Sequence, residues 1–341
     1  MSDVKKMEFH LYVLHNGQQL GEANYIDSPT IMMDATAEIK KSFRANVILP
    51  DNTDIMNDAI EVDITINGNT FKMGEYYIGT ATETTNSYGL TTVEIEGYDE
   101  CYKPSRYRTE NIYHISAGEK YTQVVQSMLI ESGVEKILVT DSPYTIKNDR
   151  EDWEIGTSYL EIINDLLSEI NYDSLWFDNE GYARIAPKRT AVSDSVNHVY
   201  KSGKYSVISE NRTKETDVFS KYNVFIAYVD NADNESLMIA KAENNDASSI
   251  LSIPRRGRIQ APPKRLDNIA SQEELQAYVD NWRSQSMTST ESLTIQTELD
   301  GIHNVLDTVQ CEDNLYLESA WEMNLDAGSL MSHTLQREVF I

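Results

Sequence analysis

The sequence predicts a mainly β, α+β protein, with β-rich regions at both ends enclosing an α+β region. Three observations predict it. Asn-Gly pairs separate alternating apolar runs in the first hundred residues, the segments 114–134 and 158–170 change to helical period, and alternation returns in the last third.

Taken in order, MEFHLYVLH runs into Asn16-Gly17, and EVDITINGNTFKMGEYYIGTA places Asn67-Gly68 between two alternating runs, the pattern of a type I′ hairpin. LTTVEIEGYD alternates again, so the first region reads as a small barrel or sandwich ending near Asp99. In HISAGEKYTQVVQSMLIESGV the apolar residues Tyr121, Val124, Val125, Met128 and Leu129 share one helical face. Ser116 and Glu119 have capping-box spacing, and Gly133 is a stop signal. The stretch SYLEIINDLLSEINYDSLWFDNEGYARIAP, residues 158–187, repeats the device. Ser158 and Glu161 cap a helix whose apolar face is Tyr159, Ile162, Ile163, Leu166 and Leu167.

A hairpin is expected next, with Asp178, Asn179, Glu180 and Gly181 in its turn, Leu175 and Phe177 facing inward and Trp176 facing elsewhere. The carboxylates of this stretch therefore read as a helix exterior and a loop tip, not as an acid/base pair. After Pro187 strands resume in HVYKSGKYSVI and KYNVFIAYV. DNADNE, from Asp230 to Glu235, lacks the glycine and closing glutamate of a calcium loop and reads as a polar turn. A third helix is expected from Ser271 to about Ser286, with Leu275, Tyr278, Val279 and Trp282 on one face, and strands complete the chain.

The bulk numbers bound the function. A chain of 341 residues has room for two or three domains, and 55 acidic against 29 basic residues give a formal net charge of −26, which disfavours nucleic acid or an anionic membrane as the main partner. Its plain consequence is solubility. Cys101 and Cys311 form no CxxC pair, and His10, His15, His114, His198, His303 and His333 show no HxH or HExxH spacing, so neither metal nor cofactor is expected. His303 with Asp307, or His114 with some distant serine, could meet in space, but a lone histidine in strand-rich sequence is more often structural. Phosphate-cradling glycine motifs and a GxSxG elbow are absent from the sequence. Arg255, Arg256, Arg258, Lys264 and Arg265 cluster around prolines and fit either a solvated linker or a contact with an acidic protein surface. The sequence carries no stretch of membrane-spanning length and no basic-then-apolar start, so synthesis in a cytoplasm without membrane contact is expected.

Four segments, taken in chain order, resemble the hub proteins of phage tails. They are DATAEIKKSFRANVIL, GEYYIGTATETTNSYGLTTVEIEGYDECYKPSRYRTE, GTSYLEIINDLLSEINYDSLWFDNEGYARIAPKR and TDVFSKYNVFIAY. The resemblance implies two small tail-tube-type β-barrels flanking an α+β domain. Its bounds would be 1–105 for the first barrel, 106–195 for the middle domain, and 196–231 with 291–341 for the second barrel. An insertion, 232–290, would pack on the middle domain. It also implies a homotrimer that contacts a tail tube protein, a central spike protein and other baseplate proteins, in a virion or a phage-tail-like particle such as a bacteriocin. In such a ring an acidic surface lining the lumen would let DNA slide through unbound, and residues 284–336, with nine acidic residues and no lysine or arginine, are the candidate for it. No catalytic residue is implied. The competing readings are a tail-associated cell-wall hydrolase and a carbohydrate-binding adsorption protein.

Overall fold

A computed structural model describes residues 6–203, 208, 213–216, 221–229, 238–266, 271–286 and 288–340. The chain divides into two compact units. One comprises Met1–Arg212 with Thr294–Leu335, the other Thr213–Leu293 with Gln336–Ile341. The Asp230–Glu235 turn lies outside the described residues. Among the described residues no helix is long and apolar enough to cross a membrane.

The larger unit is organised by one sheet that is antiparallel except where Val196–Tyr200 pairs parallel with Thr308–Cys311. From one edge its strands run Gln18–Glu22, Met7–His15, Ala59–Ile66, Asn69–Thr85, Thr91–Tyr98, Lys41–Ile48, Thr30–Asp34 and Asn314–Asn324, and continue into Leu330–Phe340 and Thr288–Glu298, of which residues 330–335 and 294–298 belong to this unit. Both Asn-Gly hairpins form as expected. Asn16 and Gly17 have φ of 51° and 73°, Asn67 and Gly68 of 50° and 84°, the left-handed values that a type I′ turn demands. Period-two alternation sets the faces: along Lys41–Ile48 the residues Lys41, Phe43, Ala45 and Val47 are buried while Ser42, Arg44 and Asn46 are not.

The anticipated pair of closed barrels is not found among the described residues. Gln18–Glu22 pairs with Met7–His15, and two residues later Asn24–Tyr25 pairs with Lys41–Ile48, so the sheet curls around its core without one continuous closing strand. The late strands do not form a separate barrel either. Asn314–Asn324 pairs with Thr30–Asp34, Trp321 opposite Met33, and joins the end of the chain to its beginning in a single sheet. Alternation along each strand shows which face is buried but carries no record of which distant strand lies beside it.

A second core lies under two helices of the same unit, Tyr121–Glu131 and Tyr159–Glu169, which bury Val124, Val125, Met128, Leu129, Ile162, Ile163, Leu166 and Leu167 with Ile115, Ile146 and Ile185. Ser158 caps the second helix as expected, its hydroxyl accepting from the Glu161 N–H at 3.2 Å. Removing that acceptor in Ser158→Ala should cost about 1 kcal/mol, read from the urea midpoint.

The Ser116/Glu119 pair does not cap the helix. One of the two capping-box bonds is present, the Glu119 carboxylate accepting from the Ser116 N–H at 3.1 Å, but the pair lies before the helix, which begins only at Tyr121 after an extended Lys120 bridged to Thr145. Gly133, with φ of 86°, ends that helix as its position predicts. In the next hairpin Trp176–Phe177 pairs with Ala183–Ile185. Phe177 enters the helical core and Trp176, one residue earlier, enters the core of the large sheet, so this hairpin pins the two cores together.

The smaller unit holds a three-stranded sheet, Met238–Glu243, Val224–Val229 and Lys264–Arg265, covered by the helix Gln272–Ser286. Phe225, Ala227, Ala240, Leu275 and Val279 form its core, and Trp282 meets Phe225 edge-on at 5.1 Å. Val224–Val229, expected to open a second barrel, lies here because its partners are Met238–Glu243 and Lys264–Arg265.

Candidate functional site

Four carboxylates of 158–187, Asp165, Glu169, Asp173 and Asp178, are tied to partners within the chain, where their placement on a helix exterior and loop tip suggests solvation. Asp165 accepts from the Trp153 indole at 3.0 Å, and Glu169 takes Tyr121 and Arg150 at 2.8 and 2.7 Å. Asp173 and Asp178 are buried. Asp173 binds Arg189 at 3.0 Å, while Asp178 binds Arg184 at 2.6 Å and accepts from the backbone of Glu180 and Tyr182. The hairpin tip is therefore not a solvated loop. Asn179 donates to the His303 carbonyl at 3.1 Å and accepts from the Lys41 ammonium at 2.7 Å.

The serine beside His114 is not a distant one but Ser116, two residues on, and an acid, Glu151, lies on its other side. Its Nε2 lies 3.4 Å from the Ser116 hydroxyl and its Nδ1 lies 3.2 Å from Glu151. The His114 side chain is 48% exposed and that of Glu151 66%, so water screens the pair that a nucleophilic triad keeps buried to fix the imidazole. These are surface hydrogen bonds.

The site that local spacing misses is a buried ring of polar groups where five strand and loop segments meet. Glu318, on Asn314–Asn324, is fully buried. Its two oxygens accept from the Nδ1 atoms of His303 and His333 at 2.7 and 2.5 Å. The far nitrogen of His303 meets the Tyr200 hydroxyl at 2.9 Å, and that of His333 meets the Thr297 hydroxyl at 2.8 Å. His198 stacks on His303 with ring centroids 3.6 Å apart, and its Nε2 meets Asp307 at 3.1 Å. Asp307, expected beside His303, thus pairs with His198.

Burial pushes the Glu318 carboxyl up, but the two imidazoles outweigh it and pull it down to about 2. Burial pushes His303 down and Glu318 outweighs this, leaving it raised. For His333 burial prevails and the ring is lowered. The arrangement is a carboxylate between two imidazoles of which His303 is the one favoured to hold the extra proton, and the hydroxyls of Tyr200 and Thr297 can each give or take a proton, so the ring accommodates a change of charge without losing a bond.

The same atoms could be suspected of holding a metal, since the His303, Glu318 and His333 ligand atoms lie within 4.8 Å of one another, as do those of His198, Asp300 and His303. A zinc ion bound at about 2.0–2.2 Å would hold its nitrogen and oxygen ligands roughly 3.3 Å apart. The observed 2.5 and 2.7 Å are the spacing of shared protons, and the His198 and His303 rings, 10° from parallel, do not converge on a common point. The ring fits protons better than a metal.

Two further expectations meet the geometry here. Of the nine acidic residues in 284–336, Glu291, Asp307 and Glu318 are buried and paired, with Arg337, His198 and the two histidines respectively, and so are not lumen candidates. In the basic cluster Arg258 pairs with Glu243 at 2.6 Å and Lys264 lies over the Trp282 ring at 4.2 Å, so that cluster is partly committed within its own unit.

The fold is that of phage and prophage tail proteins. It matches, over nearly the whole of both chains, a tail protein from Neisseria meningitidis MC58 (TM-score 0.63, 13% identity, 96% of each chain). It also matches the 43 kDa tail protein of prophage MuSo2 from Shewanella oneidensis (0.65, 13%, 97% of this chain and 98% of that one) and prophage tail protein gp18 from Listeria monocytogenes EGD-e (0.55, 12%, 96% and 94%). No protein-family profile and no curated protein matches the sequence.

Proposed function

We propose that this chain is a structural, non-enzymatic hub protein of a phage tail or phage-tail-like particle, forming a trimeric ring between a sixfold tail tube and a threefold central spike. The observation that carries the reading is whole-length similarity to three tail proteins, 94–98% of each of those chains, at identities of 12–13% that leave fold as the shared property. Three copies of one chain would match a threefold spike directly, and would meet a sixfold tube if each copy offered it two equivalent surfaces. The exposed carboxylates Glu298, Asp313, Glu322 and Asp326 are the lumen candidates that remain, where they would repel the phosphates of passing DNA.

Negative-stain electron microscopy and mass photometry of the purified protein, alone and with tube and spike proteins encoded beside it, test the reading. Rings at three times the 38.8 kDa chain mass are expected. Monomers that join neither partner would overturn it.

A further inference from the structure

Among the described residues Lys41 is 1% exposed and makes no ion pair; its ammonium donates to the neutral side-chain amide of Asn179, Nζ to Oδ1 at 2.7 Å. A buried ammonium ordinarily has a carboxylate against it, so this placement calls for a reason. Asn179 is clamped where it stands. Its backbone N–H donates to Asn304 Oδ1 at 3.1 Å and its Nδ2 to the His303 carbonyl at 3.1 Å, which leaves Oδ1 turned to the lysine. A C=O bond of about 1.2 Å puts the Asn179 Cγ within about 4 Å of Nζ, close to the roughly 3–3.5 Å at which reacting atoms meet.

A proton carrier stands beside the pair. Ser42 lies opposite Tyr98, and Lys41 and Asp99 continue that register, the Lys41 carbonyl accepting from the Asp99 N–H at 3.2 Å, so the two are cross-strand neighbours on one buried face. Asp99 is 3% exposed; its Oδ1 accepts from the Cys101 N–H at 3.0 Å and its Oδ2 has no partner. Ammonium and carboxylate can exchange a proton to become amine and carboxylic acid, the first a nucleophile and the second a donor to a leaving group. Burial favours that exchange, since it pushes the Lys41 ammonium down to about 8 and the Asp99 carboxyl up to about 6. Asp178, Cys101 and Asp307 are the other titratable groups whose charges reach Lys41.

We propose that Lys41 and Asn179 join through a side-chain amide, formed after folding and without any other reagent. The Nζ–Cγ bond forms and the Cγ–Nδ2 bond breaks. Two of the three ammonium protons pass, by way of Asp99, to Nδ2, which leaves as ammonium. Freshly folded protein is the open form, with Lys41 an ammonium. The closed form ties the strand Lys41–Ile48 covalently to the tip of the hairpin that enters both cores. The bond is independent of the hub reading, because either can hold without the other.

Mass spectrometry of the full chain tests it. Protein held at pH 8 should become lighter by one ammonia, and its tryptic digest should join the peptide containing residue 41 to the one containing residue 179. Held at pH 5, where Asp99 keeps its proton and Lys41 its charge, it should stay open. Other asparagines can also lose ammonia, so the joined peptide decides. Asn179→Ala, checked for an intact fold by its urea midpoint, should abolish the joined peptide, and Asp99→Asn, which retains the shape of the side chain, should slow its formation tenfold or more. Absence of the joined peptide after a week at pH 8, its formation as fast at pH 5, or its formation at the parental rate in Asp99→Asn would each overturn the proposal.

Discussion

Glu318→Gln is expected to lower the stability of the protein by about 3–5 kcal/mol at pH 7, because it removes the anion shared by two buried imidazoles and leaves their protons without an acceptor of opposite charge. The pH profile should change with it. In the native protein the Glu318 carboxyl sits at about 2, below its ordinary 4.5. A lowered carboxyl contributes stability that is present above its unfolded value and disappears as pH falls from 4.5 toward 2, here about 3 kcal/mol. His303 is shifted the other way, so its contribution is present below 6.5 and fades as pH rises through its folded value. Urea midpoints from pH 3 to 8 should show Glu318→Gln losing the acid limb and the His303 contribution together. A variant within 1 kcal/mol of the parent at every pH would refute the ring as a stabilising element.

Lys41→Met should be opposite in its pH response. Lys41 is buried, and burial pushes its ammonium down to about 8, against the attraction of Asp99 and Asp178. Burial likewise pushes Asp99 up to about 6, against the attraction of Lys41. Because the folded form binds the Asp99 proton more tightly, stability falls by about 3 kcal/mol as pH rises from 3.8 to 6. Without Lys41 the Asp99 carboxyl rises further and that fall extends above pH 6. The substitution removes a buried ammonium that itself costs the folded state stability below pH 8, so its effect should be small at pH 5, where Asp99 carries its proton in either protein, and should turn progressively more destabilising as pH rises through 6 to 8. The double variant Lys41→Met with Asp99→Asn should recover most of the loss at pH 8. A cost that does not vary with pH would show that lost packing, and not the unpaired carboxylate, dominates.

The parts of the fold that were legible in the sequence are those whose causes are local. The Asn16-Gly17 and Asn67-Gly68 turns, the Ser158 cap and the opposite facing of Trp176 and Phe177 each rest on residues within a few positions of one another, and each formed as read. The Ser116/Glu119 pair misses the helix start, where Lys120 is extended and bridged to the distant Thr145. The joining of Thr30–Asp34 to Asn314–Asn324, and the placement of Val224–Val229 in the smaller unit, depend on partners that periodicity does not name.

The buried ring escaped for the same reason. His303, Glu318 and His333 are separated by 15 residues at each step, far beyond any ligand motif. One signal was available: His333 lies in the phase of Met331 and Leu335, so an imidazole occupies a core position of an alternating strand. A polar group in that phase asks for a buried partner, and Glu318, in the phase of Tyr316, answers in the same way.

The pairing of Thr30–Asp34 with Asn314–Asn324 also sets a timetable. On the ribosome the early strand is made first, and its free edge has to wait while residues 35–313 are synthesised, about 15 to 60 s at 5–20 residues per second. Throughout that interval the nascent chain offers Ile31 and Met33 on an uncovered strand, a template for pairing with another unfinished copy on the same polysome. The late strand silences that edge, so only a nearly finished chain is safe from its neighbours. Synthesis interrupted before residue 314 should yield aggregates instead of soluble fragments.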